Sequence, residues 1–421
     1  MEDANISAIK AREILDSKAR PMVEVDVWAT DGSMGRGASP CGTSVGKHEA
    51  HVLRDGGSRY GGLGVRKAVQ IVQDVIAPVL LGRPICDQRE IDRLMIELDG
   101  TSDKSRLGAN SIYSVSIAVA RAAAASRGLS LYRHLGGAEA HLLPAPMFNM
   151  INGGATYGAG VEFQEFLLIP AGAETYSEAL RTGVEIFSKV GDTIRKRYGS
   201  KAVHIGPSAG YEAPTGEPGA ILEILLEAAE RAGYGGMCKL GIDCAASHFY
   251  SPEKKTYRFK GEEVGREELI SFLESLAKAY PLFVIEDPLD EDDFEGFAEI
   301  TKRLDLLVIG DDLFVTNLDR VKKGAALGAA NAMILKPNMV GTLSEAIETA
   351  LYAKEHGYCL VGSGRAGGGD DPVPDVVVAV GAPLVKFGAP RTGERIAKQN
   401  SLLRIEEELG VSGKYAGELL F

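Results

Sequence analysis

The stretch AMILKPN, residues 332–338, is an apolar run typical of a buried strand, yet it ends in the lysine Lys336. Similar short runs, each ending in a polar or glycine cluster and followed by a helical pattern, occupy the rest of this half of the chain. They are MCKLGID (237–243), LFVIED (282–287), LLVIGDD (306–312), YCLVGSG (358–364) and LVKFG (384–388). Repetition of this kind indicates consecutive strand–helix units.

The last polar residue of each run recurs at a near-constant interval of 23 to 27 residues from Glu286 onward. Parallel strands that close into a barrel place their carboxyl ends on one face, where the active sites of such barrels lie. The sequence therefore predicts an α/β barrel whose mouth carries Asp243, Glu286, Asp311, Lys336, Ser363 and Lys386.

Three carboxylates at successive strand ends, Asp243, Glu286 and Asp311, predict a magnesium site, because Mg²⁺ prefers a few carboxylate oxygens. The alternative is that each one caps the helix after its strand, since Asp is a favoured N-cap residue. Paired lysines facing a metal feel positive neighbours, which should lower the pKa of Lys336 toward that of a general base. Lys386 could instead be a solvated lysine at a sheet edge.

Composition limits the class of protein. The chain has 421 residues, 45% hydrophobic and 25% charged, as expected for a globular protein of two or three domains. Its formal net charge of -12 argues against nucleic-acid binding but allows a small anionic substrate. Five scattered cysteines suggest neither disulfides nor zinc, and no apolar run is long enough to cross a membrane, so we expect a cytoplasmic protein.

The N-terminal third has a different pattern. MVEVDVW, residues 22–28, alternates as in a half-buried strand of a hairpin or meander, and helical patterns fill residues 66–135. We predict a small α+β domain over 1–138, with a mobile flap at 38–50, and a barrel domain over 139–421. The boundary falls at the proline- and glycine-rich stretch PAPMFNMINGG.

Motifs along nearly the whole chain resemble those of enolases, in the expected order. They include REILDSKARPMVEVDV (12–27), GTSVGKHEA (42–50), GANSIYSVSIAVARA (108–122), PMFNMINGG (146–154), QEFLLIP (164–170), IEDPLDEDD (285–293), LKPNMVGTLSEA (335–346) and ERIAKQNSLLRIEEEL (394–409). The resemblance implies a capping α+β domain, an eight-stranded barrel whose second strand is antiparallel, and a homodimer or larger homo-oligomer.

The resemblance also implies a role for individual residues. Lys336 matches the base that removes the α-proton, and Lys386 matches the lysine that contacts the substrate carboxylate. Ser44 matches the flap serine, and Gln164 and Glu165 match the active-site QE pair. The remaining matches are the magnesium ligands Asp243, Glu286 and Asp311.

Three positions depart from the enolase pattern. IGPSAGYEAP places Ser208 where enolases have the general-acid glutamate, and NGGATYG places Thr156 where they have a histidine. GSGRAGG places Ser363 and Gly364 where they have a histidine and an arginine, and Arg365 follows one residue later. Arg365 is predicted to replace that arginine in binding a phosphate or phosphonate oxygen.

These departures favour retained proton abstraction with altered chemistry afterward. The candidate is an enzyme like carboxyphosphonoenolpyruvate synthase, acting on an anionic carboxylate that carries a phosphate or phosphonate. One alternative is ordinary enolase, converting 2-phosphoglycerate to phosphoenolpyruvate and water, with Glu212 or Glu165 as the acid. The other is a non-catalytic binding protein, which the retained ligands and lysines disfavour.

Overall fold

An antiparallel meander opens the chain in the computed structural model, which describes residues 4–40, 42, 46–154, 160–206 and 208–420. Its strands are β1 Ile6–Leu15, β2 Pro21–Ala29 and β3 Met34–Ala38, with β2 in the centre. The predicted hairpin or meander is confirmed.

Alternation in the central strand β2 separates a core face from a charged face. Val23, Val25 and Val27 are fully buried, as the pattern predicts. Asp26 on the other face is buried too, because Arg36 Nε lies 2.6 Å from its Oδ1 and Arg12 also pairs with it. Asp26 departs from the expected half-buried pattern because long arginine side chains cover it, whereas Glu24 and Trp28 on the same face are partly exposed.

Helices follow the meander, as predicted for residues 66–135. They are Arg66–Ile71, a π-helical turn at Val72–Ile76, Ala77–Leu80, Gln88–Asp99, Ala109–Ser126 and Leu131–Gly136. The helix Ala109–Ser126 packs directly on β2 and β3. Gly35 of β3 permits this approach, since a Cβ there would lie 2.1 Å from the carbonyl oxygen of Ala118.

The remainder of the chain forms a closed barrel of eight strands. These are β4 Ala145–Asn152, β5 Glu165–Ile169, β6 Lys239–Asp243, β7 Leu282–Glu286, β8 Leu307–Gly310, β9 Ala332–Leu335, β10 Cys359–Ser363 and β11 Leu384–Gly388. Neighbours in the chain are neighbours in the sheet, and β11 pairs with β4 to close it. Only β5 is antiparallel to its barrel neighbours.

This topology confirms the barrel that the resemblance implied, including its antiparallel second strand. Helices cover the outside of the barrel: Tyr176–Tyr198, Pro218–Arg231, Arg266–Ala279, Phe294–Arg303, Leu318–Leu327, Leu343–Glu355, Val373–Val380 and Gly393–Leu409. Short strands lie outside it at Leu142–Leu143, Tyr211–Glu212, Tyr250–Ser251, Thr256–Phe259, Glu262–Val264 and Lys414–Tyr415. None of the helices in the described ranges is long and apolar enough to span a membrane.

Alternate residues of the strands fill the barrel interior, as the two-residue period of a strand requires. Met147, Leu167, Val284, Ile334 and Val361 belong to this buried cluster. The polar residues at the strand ends therefore lie next to a tightly packed apolar layer inside the barrel.

Hydrogen bonds attach the N-terminal unit to the barrel. Ser116 Oγ accepts the backbone N–H of Leu343 at 3.0 Å, and Asp92 Oδ2 accepts that of Ser344 at 3.0 Å. Both acceptors are fully buried. Such buried polar contacts fix the orientation in which the N-terminal unit meets the barrel.

Candidate active site

Strand register places the predicted side chains at one end of the barrel. Asp243 and Glu286 are directly paired at the ends of β6 and β7, and Glu165, at the start of antiparallel β5, is paired with Asp243. Ser363 is paired with Lys386 across β10 and β11. Because β5 runs in the opposite direction, its first residue meets the last residues of its neighbours.

A cavity of about 120 Å³ opens at this end. Of the residues predicted from the sequence, nine line it: Gln164, Glu165, Ser208, Asp243, Asp311, Lys336, Ser363, Arg365 and Lys386. Glu286 reaches the same cluster through Lys386. Ser44 and Thr156 lie outside the described residues, as do positions 41, 43 and 45 of the predicted flap.

Lys386 is the centre of a buried ionic cluster. Its Nζ lies 2.7 Å from Glu286 Oε2, 2.8 Å from Asp243 Oδ2 and 3.1 Å from Glu165 Oε2. Burial would lower the pKa of Lys386, but these carboxylates more than offset burial and hold the pKa well above its usual value. Lys386 is a charged buried ammonium here, and the alternative of a solvated lysine at a sheet edge is wrong.

Lys336 pairs with Asp311 on the other side of the cluster. Its backbone N–H donates to Thr316 Oγ1 at 2.9 Å. Burial is the largest influence and opposes the ammonium charge, but the carboxylates around the amine, with Asp311 foremost and Glu286 next, together raise the pKa of Lys336. The sequence predicted a lowered pKa for Lys336. That prediction assumes a metal ion beside the amine, whereas the charge closest to the amine in this arrangement is the Asp311 carboxylate.

The carboxylates respond to the same burial in different ways. Burial raises the pKa of Asp243 and raises that of Glu286 well above its usual range. Burial acts on Asp311 as well, but the neighbouring Lys336 ammonium holds its pKa below the usual value. The cluster thus contains more acidic groups than its two lysines neutralise.

Asp287 was not predicted from the sequence, although it orients the loop that carries Asp311. Its two carboxylate oxygens accept the backbone N–H groups of Asp311 at 3.0 Å and Asp312 at 2.9 Å. The adjacent acidic pair at the end of LFVIED was the available signal, but one sequence cannot tell that Glu286 pairs with Lys386 while Asp287 accepts backbone N–H groups. Asp287 is a positioning residue for Asp311.

The residues present fit a divalent cation. Oxygens of Glu286, Asp287 and Asp311 lie within 4.8 Å of one another. Both oxygens of Asp287 already accept backbone N–H groups, so Asp243, predicted from the sequence, remains the candidate third ligand beside Glu286 and Asp311. Asp311 Oδ1 is buried and has no hydrogen-bond partner among the described residues. A surplus of buried carboxylate oxygens is the donor set that Mg²⁺ prefers.

Residues from the flap and from the loop after β10 meet beside the cluster. Arg365 forms a buried ion pair with Glu49, whose Oε1 also accepts the backbone N–H of Gly46 at 2.9 Å. Ser363 Oγ donates to the carbonyl oxygen of Lys386 at 3.1 Å. Glu49 was not predicted, because nothing in GTSVGKHEA distinguishes a partner of Arg365 from a solvated glutamate.

The general-acid position has no carboxylate. Ser208 lines the cavity where the resemblance placed the acid. Glu212, one alternative acid, lies in the short strand Tyr211–Glu212 beside β4 and is absent from the described cavity lining. Glu165 does line the cavity, and its Oε1 accepts a hydrogen bond from Asn149 Nδ2 at 2.6 Å.

Comparison with known proteins identifies the family to which this chain belongs. The family model described as "Enolase, N-terminal domain" matches residues 6–135, and "Enolase, C-terminal TIM barrel domain" matches residues 140–421. The chain belongs to the enolase family. The enolase of Methanopyrus kandleri is 49% identical over 415 residues, covering 97% of each chain.

Two further relatives agree over the full length. The enolase of Methanocaldococcus jannaschii is 46% identical over 417 residues, covering 99% of this chain and 98% of its own. That of Thermococcus kodakarensis is 47% identical over 418 residues, covering 98% of this chain and 97% of its own. This enolase-family chain is therefore an enzyme of the carbon–oxygen lyase type.

Proposed function

We propose that this chain acts as a magnesium-dependent enolase, which removes the proton α to the carboxylate of 2-phosphoglycerate and releases phosphoenolpyruvate and water. The observation that carries the proposal is that Lys336 and Lys386 line one and the same cavity at the mouth of the barrel, together with the carboxylates of Asp311 and Asp243 that pair with them. The relatives covering the full length, each named enolase, favour this reaction over the altered chemistry suggested by the sequence departures.

The chain's own residues divide the work as follows. Lys336 takes the α-proton at Nζ as the neutral amine, a form that becomes available when Asp311 no longer pairs with it, and Thr316 fixes the backbone of Lys336. Lys386 holds a fixed positive charge for the substrate carboxylate. Mg²⁺ bound by Asp243, Glu286 and Asp311 would supply the charge that stabilises the dianion formed on proton loss.

Glu165 is the residue we assign to protonation of the departing hydroxide. Glu165 lines the cavity, and the described partners of its carboxylate are the side chains of Asn149 and Lys386. Ser208 cannot fill this role, because a serine hydroxyl is far too weak an acid.

A second candidate function, proton abstraction followed by altered chemistry, has one observation in its favour: Ser208 occupies the position of the general acid. In that case the enolate forms but water leaves slowly, and another reaction consumes the enolate. Nothing in the described cavity points to a carbon–phosphorus substrate, and the comparisons give no support to a phosphonate pathway.

Both candidates are tested by incubating the protein with 2-phosphoglycerate and MgCl₂ and recording phosphoenolpyruvate formation together with α-proton exchange. Product formation as fast as exchange supports ordinary enolase. Exchange at least 10²-fold faster than product formation would overturn that proposal and favour the second candidate, since this is the usual minimum effect of losing a general acid.

A further inference from the structure

The turn between β1 and β2 is closed by the side chain of Asp16. Its Oδ1 accepts the backbone N–H groups of Lys18 at 2.9 Å and Arg20 at 2.8 Å, and its Oδ2 accepts Nε–H of Arg20 at 2.8 Å. The Asp16 side chain is fully buried, and that of Arg20 is 19% exposed. An aspartate that binds nearby backbone N–H groups fixes a turn by itself, so the turn alone does not account for the guanidinium of Arg20.

That guanidinium reaches two segments that are distant from the turn in the chain. Nη1 donates to the carbonyl oxygen of Gly42 at 2.9 Å, and Nη2 donates to that of Ala366 at 3.1 Å. Gly42 belongs to the segment 38–50 that the sequence predicts to be a flap, and Ala366 lines the cavity next to Arg365. One side chain of the N-terminal meander therefore bridges the flap segment and the loop after β10.

Gly367 lets the loop after β10 pack directly on the ion pair of Asp16 and Arg20. Its φ is +108°, and a Cβ there would lie 2.6 Å from Asp16 Oδ2 and 3.2 Å from Arg20 Nη2. Its carbonyl oxygen accepts the backbone N–H of Ser17 at 3.1 Å. The turn and the loop therefore meet at a distance that a side chain at position 367 would prevent.

A purely local role, in which Arg20 only neutralises Asp16, does not fit these contacts. One edge of a guanidinium is enough to pair with a carboxylate, and here Nε and Nη2 do so. The bonds to Gly42 and Ala366 go to carbonyl oxygens outside the turn, and hydrogen bonds from a charged donor are stronger than neutral ones. Arg20 therefore also stabilises the positions of the two distant segments.

The flap segment and the loop after β10 are joined to each other by the buried ion pair of Glu49 and Arg365. An ion pair between two loops does not by itself fix either of them to the rest of the molecule. Arg20 makes that connection, because the meander that carries it packs on the helix Ala109–Ser126.

We propose that Arg20 is a positioning residue through which the N-terminal meander holds both segments in place beside the cavity. It acts on Ala366 and, through the adjoining peptide, on Arg365, whereas Lys336 and the candidate magnesium ligands lie at the ends of other strands. Loss of Arg20 should loosen the cavity wall without removing a group that takes part in proton transfer. The coupling does not depend on the reaction, but its effect on turnover rests on the proposed function.

Hydrogen–deuterium exchange of the ligand-free protein tests the coupling without any substrate. The wild type is compared with Arg20→Met, which removes the guanidinium, in peptides that cover residues 38–50 and 363–371. Loss of even one hydrogen bond from a charged donor corresponds to about a tenfold change in an equilibrium constant. We expect backbone amides in both segments to exchange about 10-fold faster in Arg20→Met, because local opening becomes more frequent.

Two further variants separate positioning from a loss of stability. Arg20→Lys keeps a positive charge beside Asp16 but lacks the planar fork that reaches two carbonyl oxygens, so exchange should rise in both segments. Arg303→Met removes an arginine that pairs with Glu267 and Glu274 on the outside of the barrel, and it is the matched control. It should leave exchange in both segments as in the wild type.

Turnover gives the second arm of the test. With 2-phosphoglycerate and MgCl₂, Arg20→Met should raise KM about 10-fold and lower kcat less than about threefold, because binding contacts are loosened while Lys336 stays in place. If the wild type forms no phosphoenolpyruvate, the proposed function fails, and the exchange experiment still tests Arg20.

Three outcomes would overturn the proposal. Unchanged exchange in either segment of Arg20→Met would mean that the carbonyl contacts do not restrain that segment. Faster exchange along the whole chain, reproduced by Arg303→Met, would reduce Arg20 to a contribution to global stability. Wild-type exchange in Arg20→Lys would show that the charge beside Asp16 is sufficient and that the bridge is not needed.

Discussion

Replacing Lys386 with methionine should reveal how strongly the ionic cluster depends on one ammonium group. The side chain is 9% exposed and contacts three carboxylates within 3.1 Å, on Asp243, Glu286 and Glu165. Removing one member of a buried ion pair costs about 3–5 kcal/mol, because the remaining charge stays buried. We expect Lys386→Met to lower the free energy of unfolding by this amount near neutral pH.

The expected change in melting temperature follows from the size of the barrel domain. For roughly 280 residues the entropy of unfolding is about 0.6 kcal/mol/K, so the loss corresponds to a fall of roughly 5–8 °C. Differential scanning calorimetry without divalent cations measures it. Lys302→Met, which removes an exposed lysine, is the control and should change the melting temperature by about 1 °C or less.

Magnesium should act more strongly on this variant than on the wild type. Without the ammonium, Asp243 and Glu286 are less neutralised and should attract a divalent cation more strongly. The Mg²⁺-dependent rise in melting temperature should therefore be larger in Lys386→Met. If the melting temperature of ligand-free Lys386→Met is less than about 1 °C lower than that of the wild type, the electrostatic argument is refuted, because surface substitutions cause changes of this size.

Three further predictions concern separate parts of the molecule. Asp311→Asn should lose most of the Mg²⁺-induced stabilisation, which for a ligand at 100 times its Kd is about 2.7 kcal/mol; an undiminished rise in calorimetry would remove Asp311 from the ligand set. Glu165→Gln should slow phosphoenolpyruvate formation by about 10² to 10⁴ while α-proton exchange continues; an unchanged rate in a coupled assay would exclude Glu165 as the acid. Burial raises the pKa of Asp375 to about 6, so the folded protein binds a proton that the unfolded chain releases, and stability falls as the pH rises from about 4 through 6. Chemical denaturation at pH 4.5 and at pH 8 measures the difference in unfolding free energy between Asp375→Asn and the wild type. This difference should shift in favour of Asp375→Asn at the higher pH, and an equal difference at both pH values would contradict the prediction.

The spacing of polar strand ends was sufficient to predict the barrel and the group of side chains at its mouth. Register explains why, since each strand end in a parallel barrel meets the next, as Asp243 meets Glu286. Glu165 could be placed only through the family resemblance, because it begins an antiparallel strand. No periodicity in one sequence marks such a reversal.

Partners distant in the chain could not be predicted from local pattern. Glu49 and Arg365 are 316 residues apart, and Arg395 reaches the cavity from a helix rather than from a strand end. The direction of the pKa shift of Lys336 also depends on which charges lie nearest in three dimensions, and local sequence does not give this. Asp311 lies nearest, and that contact is set by packing at the ends of β8 and β9.

Exchange of the α-proton of 2-phosphoglycerate in D₂O is the most direct test of Lys336 as the base. The protein, MgCl₂ and 2-phosphoglycerate are incubated, and the loss of the α-proton signal is followed by NMR for the wild type, Lys336→Ala and the control Lys302→Ala. We predict exchange in the wild type and the control, and none above background in Lys336→Ala. Exchange in Lys336→Ala at the wild-type rate would contradict the assignment of Lys336 and the mechanism built on it.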